Sequence, residues 1–161
     1  MASRTIDLLI TYRVIKLLVT PWTKFDAYKL GIIDGNGKVL KKMRTLAGKE
    51  KNAYTILHRF IFNLKRIMKK VGLGGKIGSF AVALALLIRE DKKYKDIAPI
   101  LESAVIQHLK ESGQYERLLQ EEGDVVGFLP IDTQPFATCF GVDVYERNDE
   151  LLSEQDYAKT L

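Results

Sequence analysis

The chain has 161 residues, 47% of them apolar and 28% charged, which is enough apolar material for one ordinary domain and too much for a disordered protein. A single cysteine, Cys139, excludes an intrachain disulfide, and the two distant histidines, His58 and His108, build no zinc spacing, so neither a disulfide scaffold nor a structural metal is expected. The net charge of +5 hides a segregation: residues 1 to 80 carry 17 Lys and Arg against 4 Asp and Glu, a net +13, while the remainder carries 8 against 16, a net −8. Such a field suits an anionic partner at the first half and a cationic one, including a second copy of the chain, at the second.

Residues 4 to 19 are apolar almost everywhere except Asp7, Thr11, Arg13 and Lys16, which predicts a largely buried helix with a membrane-surface helix as its functional rival. Asp7 and Arg13 interrupt the block that a signal peptide would need, so export is not expected. Thr20-Pro21-Trp22 ends the helix, because a residue before proline avoids helical geometry.

Residues 28 to 41 run through Ile32 and Ile33 into Asp34-Gly35-Asn36-Gly37 and out through Val39 and Leu40, predicting a short β-hairpin around an Asn-Gly turn. Asp34 and Asn36 stand two apart as in a calcium loop. However, Lys38 stands where an oxygen ligand is needed, the glycine falls one place early and Thr45 stands where a glutamate is expected, so no metal is assigned.

From Lys49 to Val71 the residues Leu57, Phe60, Ile61, Leu64, Met68 and Val71 recur at helical spacing. Arg59, Arg66 and Lys70 fall on the opposite side, flanked by Lys65 and Lys69, and these five form the candidate anion- or partner-binding surface. Gly72 to Ser79 lacks the Ser or Thr after Lys76 that a phosphate loop requires, and reads as a helix stop with a tight helix connection.

Phe80 to Ile88 is the longest apolar run, far below the roughly 20 residues of a membrane span, and predicts a buried core helix. A further helix is expected from Tyr94 to Ser112, with Ile97, Leu101, Ala104, Val105 and Leu109 inward and Pro99 near its start, and a short one from Gln114 to Glu121. His108 sits on a polar flank as a surface histidine.

Beyond Gly123 the apolar residues alternate irregularly, predicting an extended acidic arm over 123 to 161, with one short strand at Gly141 to Tyr145 and a weak terminal helix after Glu150. Phe128, Leu129, Phe136 and Phe140 are its candidate docking residues, because an exposed arm so apolar invites association. The fold class expected is therefore mainly α: a basic helical domain over 1 to 122, including the hairpin, and the arm. No nucleophile elbow or dinucleotide fingerprint occurs, so an enzyme is not expected and no cofactor is assigned.

Val19-Thr20-Pro21-Trp22, the stretch Asp26-Ala27-Tyr28-Lys29-Leu30-Gly31-Ile32-Ile33-Asp34, and Asn63-Leu64-Lys65-Arg66 resemble a family of small tailed-bacteriophage proteins, the minor prohead core or internal scaffold proteins of the T-even type. The likeness spans roughly residues 10 to 90. It implies a non-enzymatic protein made in the host cytoplasm that joins an assembling head, with portal, capsid and other core proteins as partners. It also implies trimming after Leu-x-Glu or Ile-x-Glu, a pattern present at Ile88-Arg89-Glu90, Ile100-Leu101-Glu102, Leu119-Gln120-Glu121 and Leu152-Ser153-Glu154. The alternative reading is a cytoplasmic accessory protein that binds nucleic acid without sequence preference, through Arg59, Lys65, Arg66, Lys69 and Lys70.

Overall fold

A computed structural model describes residues 2–70, 77–122 and 134–160, without the side chains of 2–4 and 120–122. The fold is mainly α. Eight α-helices lie among the described residues: α1 (Ala2–Val19), α2 (Asp26–Lys29), α3 (Lys49–Ala53), α4 (Ile56–Lys69), α5 (Ile77–Glu90), α6 (Tyr94–Glu111), α7 (Tyr115–Glu122) and α8 (Glu154–Lys159), with a small antiparallel sheet between the last two.

Helix α5 is the centre of the fold because it is apolar nearly all round, and such a helix must be covered on every side. Phe80, Leu84, Leu87 and Ile88 are buried, and Ala81, Ala83 and Ala85 let neighbours approach closely. Helix α4 covers one side of it, the sheet another, and α6 and α7 also lie against it. Helix α6 follows its predicted span, and the carbonyl that Pro99 leaves without a backbone donor belongs to the exposed Lys95.

The single helix expected from Lys49 to Val71 is divided into α3 and α4. The Thr55 hydroxyl accepts from the His58 backbone N–H at 3.3 Å, and the His58 Nδ1 accepts in return from the Thr55 backbone N–H at 3.3 Å, a capping box with histidine where glutamate is usual. The start of α4 is thus set by a local exchange of hydrogen bonds. Phe60, Ile61 and Leu64 are buried as the periodicity predicts, but Phe62 is buried as well, so two sides of α4 are covered.

The predicted hairpin reduces to one isolated bridge, Ile33 with Val39, and its expected first residues instead belong to α2 or the turn after it. The cause is Asp34. Its carboxylate accepts from the backbone N–H groups of Asn36 at 2.8 Å and Lys38 at 2.9 Å, closing a compact turn that satisfies the donors a longer ladder would use. Those backbone hydrogen bonds, Lys38 first, hold the Asp34 carboxyl below its ordinary pKa.

The expected extended arm is corrected over residues 137 to 159. Strands β1 (Ala137–Cys139), β2 (Val142–Arg147) and β3 (Glu150–Ser153) form a sheet in that order, with Ala137 opposite Val144 and Tyr145 opposite Leu152, and α8 follows. Both connections are tight, with positive φ at Phe140 and Gly141 and again at Asn148 and Asp149. The strand expected at Gly141 to Tyr145 and the terminal helix expected after Glu150 are present as β2 and α8, whereas β1 and β3 stand where an extended arm was expected, because Cys139, Phe140, Val144 and Leu151 join the same buried core as the helices. A left-handed aromatic residue costs roughly 1 kcal/mol, and Phe140 (φ 53°) offsets this by packing edge-on against Phe80 with ring centres 6.0 Å apart.

Candidate functional site

Three separate stretches of chain converge on Trp22, which follows the proline that ends α1. Trp22 packs on Phe62 with ring centres 5.3 Å apart, and Phe25 packs on Phe62 at 4.8 Å. The Lys65 ammonium lies 4.9 Å from the centre of the Trp22 ring and donates to the carbonyl oxygens of Leu18 at 3.1 Å and Thr20 at 2.6 Å. It thereby caps the C-terminal end of α1, where carbonyls lack intrahelical donors and the dipole favours a cation.

Arg66 completes the clasp. Its Nε and Nη2 donate to the Gly37 carbonyl at 3.0 and 2.7 Å, and its Nη1 donates to the Asn63 Oδ1 at 2.7 Å. Gly37 stands at φ +83°, and a Cβ there would lie 2.5 Å from the Trp22 ring, so only glycine lets the turn close over the indole. Burial lowers the Lys65 pKa, with the Lys69 charge as the lesser cause.

The five cations proposed as one surface are therefore separated. Arg59 is half-buried and pairs with Glu90, its Nη2 2.7 Å from Oε2 and its Nη1 donating to Oε1 at 3.2 Å. Lys65 and Arg66 point inward to main-chain acceptors, and only Lys69 and Lys70 are exposed. The arm residues are divided too: Phe140 is buried, Phe136 is exposed beside the edge strand β1, and Phe128 and Leu129 lie outside the described residues.

Helix α1 departs from the expectation of a largely buried helix. Val14 and Leu18 face α4 and α6, whereas Ile6, Leu8, Leu9, Tyr12 and Val19 are 54% to 67% exposed. A helix apolar all round has no periodic signal to say which half is covered. No helix among the described residues is long and apolar enough to cross a membrane.

The remaining chemistry is sparse. A cleft of 460 Å³ opens between α6 and β1, with Arg89, Lys92, Lys95 and Glu102 in its lining, and burial raises the Glu102 carboxyl pKa. The Cys139 thiol is buried and pushed up to about 12, mainly by burial and secondarily by Glu102, so its thiolate is suppressed near neutrality. Among the described residues no three His, Cys, Asp or Glu side chains are grouped to hold a metal. Comparison of the chain with protein-family models, with curated proteins and with solved structures finds no match.

Proposed function

We propose that the chain is a non-enzymatic head-assembly protein of a tailed phage, similar to the minor prohead core proteins, made in the host cytoplasm and incorporated beside other head proteins. One observation carries this reading. One of the three stretches on which the resemblance rests, Asn63 to Arg66, is remote in sequence from the other two, yet Thr20, Trp22 and Lys65 meet in the clasp, and the segment from Asp26 to Asp34 leads into the turn held by Arg66. The residues that carry the resemblance thus fall in one structural unit of this chain, and that is what supports the reading. The charge split supports an assembly role, since a net +13 over residues 1 to 80 suits acidic core partners and the net −8 of the remainder suits cationic ones.

The nucleic-acid alternative is less well supported, because Arg59, Lys65 and Arg66 already serve internal acceptors. Mass spectrometry of proheads purified from cells infected with the encoding phage tests the assembly reading. The chain should co-purify with unexpanded proheads at a fixed ratio to the capsid protein. Its recovery only from the soluble lysate, with none in proheads, would overturn the proposal.

A further inference from the structure

We propose that the outward face of α1 is an interfacial helix that lies on a lipid surface bearing anionic headgroups. The covered half of the helix is anchored by Val14 and Leu18 against α4 and α6, and by the Lys65 cap at its C-terminal end. The uncovered half presents Leu8, Leu9 and Tyr12 with Arg13 and Lys16 among them, all exposed. It carries no acid among the described residues, for Asp7 is turned toward the half-buried side. A face that mixes leucines with cations and a tyrosine, on a helix not long and apolar enough to cross a membrane, suits the headgroup plane, where both kinds of side chain find partners.

Charge complementarity decides between the occupants. Two α1 helices packed face to face would match apolar with apolar, but neither face carries an acid among the described residues to pair with Arg13 and Lys16. The acidic half of a second copy would supply the charge, and among its described residues Leu119 and Phe136 are the large exposed apolar side chains. An anionic lipid surface supplies both the negative charge and an apolar interior. A second exposed segment of the same kind supports this choice: Val39, Leu40 and Met43 are exposed and interleaved with Lys38, Lys42 and Arg44.

Vesicle flotation tests the inference on the full chain. The probes are vesicles of phosphatidylglycerol mixed with phosphatidylcholine, and vesicles of phosphatidylcholine alone. The variants are Leu8→Ser with Leu9→Ser, and Arg13→Gln with Lys16→Gln. All four positions are exposed, and an unchanged circular dichroism melt establishes that each variant is folded. The unaltered chain should float with the anionic vesicles and far less with the neutral ones. The leucine pair should lose roughly tenfold in partitioning, and the cation pair a few fold together with most of the salt sensitivity. Absence of flotation with anionic vesicles overturns the inference. So does binding that survives the leucine substitutions, which would be charge attraction alone. A lipid-free oligomer that the leucine pair dissolves, without vesicle binding, would assign the face to a second copy instead. Flotation and incorporation into proheads are read separately, so either proposal can fail without the other.

Discussion

The Lys65 ammonium donates to the Thr20 carbonyl at 2.6 Å across 45 positions of sequence, and this hydrogen bond ties the end of α1 to the middle of α4. Lys65→Met should keep the aliphatic packing and lose the cap, leaving the Leu18 and Thr20 carbonyls without this donor. The expected cost is about 1 to 3 kcal/mol in a urea titration. Lys69→Met, one turn on and exposed, should stay within about 0.5 kcal/mol. Equal effects of the two substitutions would refute the clasp.

Gly37→Ala combines a left-handed backbone with a collision against the Trp22 indole. Together these should destabilise the chain by about 2 to 4 kcal/mol. Gly35→Ala is the matched control, since its Cβ would meet only Tyr28, at an ordinary 4.0 Å. Tryptophan fluorescence should also report the displacement, as Trp22 is the only tryptophan in the chain.

The two sides of α1 should answer differently to truncation. Leu18→Ala removes a fully buried side chain and should cost about 2 to 5 kcal/mol, whereas Leu8→Ala should change stability by less than about 0.5 kcal/mol. A thermal melt equally lowered by both would show that the outward face is covered after all.

His58 makes stability depend on pH. Burial, and then the charge of Arg13, lowers its pKa below the ordinary 6.5. The neutral ring is also required for Nδ1 to accept from the Thr55 N–H. A depressed native pKa means that the unfolded chain takes the proton first, so the contribution of His58 is present above 6.5 and is lost as the pH falls through the native value. His108, lowered mainly by burial, acts in the same direction. The melting temperature should therefore fall between pH 7 and pH 5. His58→Gln, which preserves the capping box without a titrating ring, should flatten part of that slope, and adding His108→Gln should flatten it further. A slope unchanged in the double variant would exclude both histidines.

Much of the helical layout is legible in local sequence. The spacing of Ile97, Leu101, Val105 and Leu109 marks α6, and the apolar run from Phe80 to Ile88 marks the central α5. These elements are readable because a one-sided or wholly apolar pattern can be buried in few ways. The break at Thr55 carried a signal as well, since Thr-x-x-His can exchange hydrogen bonds as a capping box does, with histidine in the place where glutamate is usually sought.

What the chain alone left undetermined depends on groups distant in sequence. Helical spacing places Arg59, Lys65 and Arg66 on a polar side, but a long cationic side chain reaches whatever acceptor the tertiary fold brings near, here Glu90 and the carbonyls of Thr20 and Gly37. The strands after Ala137 lack a clean alternation and gain order from α5 and from each other. Composition determined that α1 is apolar on every side. Which half of it faces solvent was decided only when α4 and α6 packed against Val14 and Leu18, because a uniform apolar surface carries no directional preference of its own.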